Sequence, residues 1–150
     1  KLAEDFRQIC GEPSPDEGPL EILGRTLKTR ERSLGAAWFD FQELCGGPRS
    51  QNDYLELARR YHSILISDVP RMGREHANEA RRFTWLVDVL YDFRVKLIMS
   101  AEVEANLLYT DGPHANEFTR TVSRLIEMRT REYLAEAHRV DFDGAPPVAA

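Results

Sequence analysis

His62-Ser63-Ile64-Leu65-Ile66-Ser67 and Val95-Lys96-Leu97-Ile98-Met99-Ser100 are two short apolar runs, and residues 74–93 between them carry apolar side chains at helical spacing. A near-continuous apolar run of this length is the pattern of a strand covered on both faces. A helix of this length supplies the right-handed crossover that two parallel strands require. The stretch therefore predicts a βαβ unit with its strands as neighbours, and an α/β fold class. The connecting helix is expected to turn Ala80, Phe83, Val87, Leu90 and Tyr91 toward the sheet.

Outward from this unit, residues 20–27 and 36–41 read as two short strands flanking a charged stretch that ends in Ser33-Leu34-Gly35, which predicts a small antiparallel hairpin before the βαβ unit. Asp40 with Glu43 has capping-box spacing for one helical turn over 41–45, which Gly46-Gly47-Pro48 ends. Ser50 with Asp53 repeats the signal and opens a helix over about 51–61. A brief turn is expected over 103–109, then a last and longest helix over 116–138 after Thr110-Asp111-Gly112-Pro113. At the start, Leu2, Phe6 and Ile9 fall at helical intervals, and residues 11–19, rich in proline, glycine and acid, read as an exposed loop. Residues 1–138 form one region, with 139–150 as a flexible tail.

The 150 residues, 20 basic against 25 acidic with 42% apolar, suit one ordinary domain whose core needs no disulfide or metal. A net charge of −5 argues against a nucleic-acid partner held by phosphate neutralisation. No apolar stretch approaches the ~20 residues of a membrane span. Cys10 and Cys45 form no CxxC pair and suit a reducing, cytoplasmic compartment. Arginine heavily outnumbers lysine, which favours a bacterial source with a GC-rich coding sequence. The chain has no initiator Met and starts as the inside of a helix, so it is expected to be a piece of something longer.

Several side chains have the character of site residues. Asp68 follows the first strand of the βαβ unit and Glu102 the second, which places both at the carboxyl edge of a parallel sheet, where open α/β folds bind ligands. Each is also an ordinary turn residue, Asp68 standing before Val69-Pro70. No GxxxxGK[ST] occurs, so the sequence holds no phosphate cradle of that type. On the connecting helix Arg82 has Glu79 three residues back as an ion-pair partner, whereas Arg81 has no carboxylate three or four residues away. Arg81 is thus free for a partner outside its helix, or for stacking on Trp85. Arg120, Arg124 and Arg131 fall on one stripe, and Glu117 and Glu127 are spaced to pair with them. Arg120, near the helix start, remains the one to face a nucleotide or a neighbouring subunit. The four histidines never pair at four-residue spacing and no cysteine lies near one, so no metal site is expected.

Trp38-Phe39-Asp40-Phe41-Gln42-Glu43-Leu44-Cys45, Asp53-Tyr54-Leu55-Glu56-Leu57-Ala58 and Ser67-Asp68-Val69-Pro70 are followed by Glu79-Ala80-Arg81-Arg82-Phe83, Leu86-Val87-Asp88 with Tyr91-Asp92, and Val95-Lys96-Leu97. Ser100-Ala101-Glu102, Leu108-Tyr109 and the run from Glu117-Phe118-Thr119-Arg120 to Glu127-Met128 complete the order. Together these motifs, spanning nearly the whole chain from about Leu2 to His138, resemble the carboxyl-terminal part of the ZapE family, the AFG-type, AAA-related P-loop ATPases. Val89 stands where the family more often has a carboxylate after Asp88.

The resemblance implies part of a P-loop ATPase-type fold whose Walker elements lie upstream, with ATP and magnesium used by the full-length protein and none expected for this region alone. Members of that family are bacterial cell-division proteins or mitochondrial relatives linked to protein quality control, so the resemblance implies a soluble, peripheral protein, here a bacterial one, with the upstream ATPase core of the same chain, another copy, or an FtsZ-type division protein as partners. ATPases of this group use an arginine from outside the P-loop to stabilise charge on the transferred phosphate, and Arg81, then Arg120, suit that role as finger or sensor. Asp68 and Glu102 are weaker candidates for nucleotide binding. A different reading makes the region an interaction module, with Trp38 or Phe39 exposed on its strand for a client or division-ring protein. A freestanding enzyme using Asp68 and Glu102 as acid and base is a third.

Overall fold

A computed structural model of the chain describes residues 2–10 and 20–140. The expected loop over 11–19, the tail over 141–150 and the side chain of Cys10 lie outside the described residues.

The βαβ unit forms as its apolar pattern dictates. Strand β5 (Ser63–Val69) runs parallel to β6 (Lys96–Ala101), with Ile64 opposite Leu97 and Ile66 opposite Met99, and α4 (Ala77–Asp92) makes the crossover. A short 3-10 turn, Arg74–His76, leads into α4. Ala80, Phe83, Leu86, Val87 and Leu90 are buried along this helix, while Tyr91 packs at the rim of the core. Each fully buried Leu or Phe on that face contributes about 1.5–3 kcal/mol, so the stripe is what docks the helix.

Beyond β5 lies β4 (Ala36–Asp40), also parallel, and beyond that β3 (Glu31–Arg32), antiparallel, giving the order β3-β4-β5-β6. Period-two alternation divides the sheet into two faces. Ala37, Phe39, Ile64 and Ile66 enter the main core with α3 (Gln51–Arg60), α4 and α5 (Phe118–Glu127). Ala36, Trp38 and Leu65 instead meet Phe6 of α1 (Leu2–Cys10), with Leu2, Ala3 and Ile98 around them.

Three local expectations are corrected. The segments 20–27 and 36–41 do not pair with each other. Leu20–Ile22 (β1) and Arg25–Leu27 (β2) form their own two-stranded hairpin, while β4 pairs with β3 and β5. The turn is Leu23-Gly24, both at positive φ (51° and 80°), the twist that a two-residue hairpin favours. Leucine there gives none of the Asn-Gly signal from which such a turn is read.

The expected single helix over 116–138 is two: α5 ends at Glu127 and α6 (Arg131–Ala135) restarts. The Thr130 hydroxyl accepts the Tyr133 N–H at 3.2 Å as an N-cap, which lets Tyr133 turn into the core against Tyr91. Finally, α2 (Phe41–Cys45) forms, but Asp40 makes no side-chain cap. Its carboxylate instead accepts from Arg30 Nε at 2.7 Å. At α3 the Asp53 carboxylate does reach back to the Ser50 N–H, at 2.9 Å.

Candidate functional site

The parallel strands place the loops that precede α3 and α4 at the carboxyl edge of the sheet, and the candidate residues gather around that edge. At β5 the chain bulges: the register to β6 shifts between Ile66 and Val69, and Asp68 takes φ 63°. Its N–H donates to Ser100 Oγ at 2.9 Å, and its exposed carboxylate lies 3.7 Å from Arg30 Nη2. Glu102 is committed differently. Its Oε1 accepts the Arg71 N–H at 2.8 Å and its own N–H donates to the Val69 carbonyl at 2.9 Å, so it ties down the turn after β5. The two carboxylates thus engage separate partners. Among the described residues no cluster of three or more His, Cys, Asp or Glu could hold a metal ion.

The loop Gly46-Gly47-Pro48-Arg49-Ser50 leads into the N-terminus of α3, the position at which a phosphate loop would present its amides. Here an anion of the chain itself already caps that end: Asp53, 2% exposed, accepts from the Ser50 N–H and from Arg25 Nη1 at 2.5 Å. The residues present therefore do not fit an ATP–magnesium site by themselves.

Around this helix end four guanidinium groups converge. A cavity of about 320 Å³ is lined by Arg25, Arg49, Arg81 and Arg82 together with Ser50 and Trp85. Arg49, largely buried, is held by the carbonyl and carboxylate of Glu43 (3.2 and 3.3 Å), and Arg82 Nη1 donates to the Cys45 carbonyl at 3.0 Å. The expected pairing of Arg82 with Glu79 is not made. Arg81 is exposed, stacks over Trp85 at 5.7 Å, and has no ion pair among the described residues. It also lines a neighbouring cavity of about 410 Å³ with Asn78, Thr84, Tyr109 and Phe118. Arg25 and Arg49 give no sign of their role in the sequence. Each follows a glycine turn, and only the fold brings them beside Arg81.

On α5, Arg120 is exposed and has no ion pair among the described residues, since Glu117 lies nearer His114 Nδ1, at 3.7 Å. The predicted ladder along this helix gives way to contacts with α4: Arg124 pairs with Asp88 and stacks on Tyr91, whose hydroxyl donates to Glu127 at 2.8 Å. Trp38 and Phe39 are both buried, on opposite faces of the sheet, so neither is the exposed recognition residue expected of them. The Trp38 indole N–H donates to Ser67 Oγ at 2.6 Å, which satisfies its only polar atom. Burial pushes the Cys45 thiol up to about 12, against a smaller opposing effect of its contact with Tyr54, so it is an inert core residue.

Comparison with known proteins agrees with the motif order. The family model described as AFG1-like ATPase matches residues 1–137. The cell division protein ZapE of Escherichia coli K12 is 40% identical over 130 residues, which is 87% of this chain and 35% of that protein. An uncharacterised protein of Schizosaccharomyces pombe is 42% identical over 94 residues, 63% of this chain and 21% of its own length. Lactation elevated protein 1 homolog B of Danio rerio is 32% identical over 153 aligned positions, 80% of this chain and 30% of its own. No solved structure matches. The chain thus spans between a fifth and about a third of the length of these relatives, and within that span it belongs to the AFG1-like ATPase family.

Proposed function

We propose that the chain is the carboxyl-terminal region of an ATP-hydrolysing member of this family, associated with bacterial cell division as the name of its ZapE relative suggests, and that it completes a nucleotide site held by an upstream core. The supporting observation is Arg81, a guanidinium with no carboxylate partner among the described residues, held on Trp85 near the carboxyl edge of the parallel sheet. ATP and magnesium, bound by the P-loop of the longer protein, supply the phosphoryl chemistry. What this chain contributes is a fixed positive charge, from Arg81 in the same chain or across a subunit boundary, that offsets negative charge developing on the transferred group. Arg120 is the second candidate, and Asp68, whose carboxylate is exposed, is a better nucleotide-facing acid than Glu102.

The test is Arg81→Ala in the full-length ATPase. A fall in turnover of about 10³-fold or more with KM for ATP little changed is expected of an arginine acting on the transition state. Unchanged turnover removes Arg81 from catalysis.

A second reading, that the region grips a client or an FtsZ-type division protein, is favoured by a groove of about 1070 Å³ along edge strand β6. Leu97, Met99, Val103, Leu107 and Leu134 line it, and Leu107 and Leu134 are exposed. On that reading Leu107→Asp with Leu134→Asp abolishes partner pull-down while ATP turnover persists. Retained pull-down sinks it.

A further inference from the structure

Four arginines from three separate segments, Arg25 on β2, Arg49 in the loop before α3, and Arg81 with Arg82 on α4, line one small cavity. Like charges do not gather in this way for stability. Each guanidinium must instead be held in place, and three of the four are held by groups behind the cavity: Arg25 by Asp53, Arg49 by Glu43, and Arg82 by the Cys45 carbonyl. Arg81 is held by the face of Trp85.

The two carboxylates neutralise Arg25 and Arg49, whereas Arg81 and Arg82 have no ion pair among the described residues, so the cavity keeps a surplus of positive charge. Glu79, close enough to act on Cys45, sits on the same helix without pairing with either. Each guanidinium carries five donors, and Arg25 and Arg82 spend one apiece on the contacts described, so N–H groups remain for a ligand. Pro48, Ser50, Asn78 and Trp85 complete the wall.

We propose that this cavity is a phosphate-binding site belonging to this chain itself, independent of a P-loop and of magnesium. Several fixed guanidiniums around a compact space suit a small anion with many acceptor oxygens, because each arginine can meet a different edge of the same phosphate group. Bracing by Asp53, Glu43 and Cys45 means that little side-chain freedom is lost when the anion enters. Among the described residues the cavity presents no ligand set for a metal, and its guanidiniums address the phosphate oxygens directly. The phosphate group comes either as free phosphate or pyrophosphate, or as the tail of a nucleotide whose base lies on Trp85. The site shares Arg81 with the function proposed above but does not rest on it.

The experiment is calorimetric titration of the chain with inorganic phosphate, pyrophosphate and ADP, each without magnesium, and with Arg81→Ala, Arg81→Glu and, at the far end of α3, Arg60→Ala. The expected result is saturable pyrophosphate binding that weakens with added salt, is unaffected in Arg60→Ala, and falls at least roughly tenfold in Arg81→Ala, the loss of one charge-assisted contact. Arg81 is exposed, so both of its variants should fold, and circular dichroism checks that they do. ADP binding tighter than pyrophosphate, with the difference lost in Trp85→Leu, identifies a nucleotide tail, while equal binding identifies the free anion. Absence of saturable binding at millimolar concentration, or equal binding in Arg81→Glu, overturns the proposal. Loss of anion binding in Arg81→Ala alongside unchanged turnover of the full-length enzyme would keep this site and remove the catalytic reading. Intact anion binding alongside lost turnover would do the reverse.

Discussion

Arg25 is half exposed, and a surface ion pair of that kind is ordinarily worth under about 1 kcal/mol. Its partner changes the arithmetic. Asp53 is 2% exposed, and its carboxylate has two strong donors, Arg25 Nη1 at 2.5 Å and the Ser50 N–H at 2.9 Å, with the Ser50 hydroxyl more distant at 3.4 Å. Arg25→Ala therefore leaves a buried carboxylate without its counter-charge. Such orphaning costs about 3–5 kcal/mol in a dry site. Because Arg25 borders solvent, water can enter where it stood, and the expected cost falls to about 2 kcal/mol, or roughly 4–8 °C in Tm for a chain of this length.

The diagnostic is the response to Asp53→Asn. In the native background this substitution removes the ion pair while keeping an acceptor for the Ser50 N–H, and it destabilises by about 1 kcal/mol. In the Arg25→Ala background the same substitution removes an uncompensated charge and should recover about 1 kcal/mol. The sign of one mutation thus reverses with the residue at position 25, read by urea denaturation of the four proteins. Arg25→Ala costing under about 0.5 kcal/mol, or Asp53→Asn destabilising both backgrounds equally, would show that the carboxylate is hydrated and refute the reasoning.

His62 gives a pH dependence of definite sign. Burial, then the nearby His138 and Lys96, hold its pKa below the ordinary histidine value, so the unfolded chain takes up a proton at higher pH than the folded one. Stability should fall as pH drops from 7 through the ordinary histidine range of about 6.5, and that slope should shrink in His62→Asn, measured by denaturation at pH 7.5 and 5.5. Leu23 sits at φ 51° in the β1–β2 turn and is 59% exposed, so its backbone strain is not offset by burial. Leu23→Asn should stabilise by roughly 0.5–1 kcal/mol in thermal melts, since asparagine tolerates the left-handed region, and no gain would mean the turn is held by other contacts.

The parallel unit was readable because its pattern is set by burial on both faces, a property the residues carry locally: Ile64-Leu65-Ile66 must be covered above and below in any fold that uses them as a strand. The strand pairings upstream were not readable in this way. Leu20–Ile22 and Ala36–Asp40 have equally apolar sequences, and only the Leu23-Gly24 turn and the long-range register with β5 decide which strand each one joins. The break between α5 and α6 was hidden for a related reason. Helical periodicity continues across Met128–Thr130, and the restart depends on Tyr133 reaching the core, where its hydroxyl donates to the Val95 carbonyl at 2.6 Å.

Charge followed the opposite rule. Pairs three or four apart on a helix contribute only about 0.2–0.5 kcal/mol, so any tertiary partner of comparable geometry displaces them. Arg82 leaves Glu79 for the Cys45 carbonyl, and Arg124 leaves Glu127 for Asp88. Each of these local assignments was reasonable and each lost to a contact that sequence spacing cannot see. Arg81 differs because the sequence offers it no carboxylate three or four residues away and the fold offers none among the described residues; it stacks on Trp85 instead. Among the described residues Arg81 has no counter-ion, and it lines one cavity with three other arginines that are already held by Asp53, Glu43 and the Cys45 carbonyl. An anion from outside the described residues is what would compensate that charge.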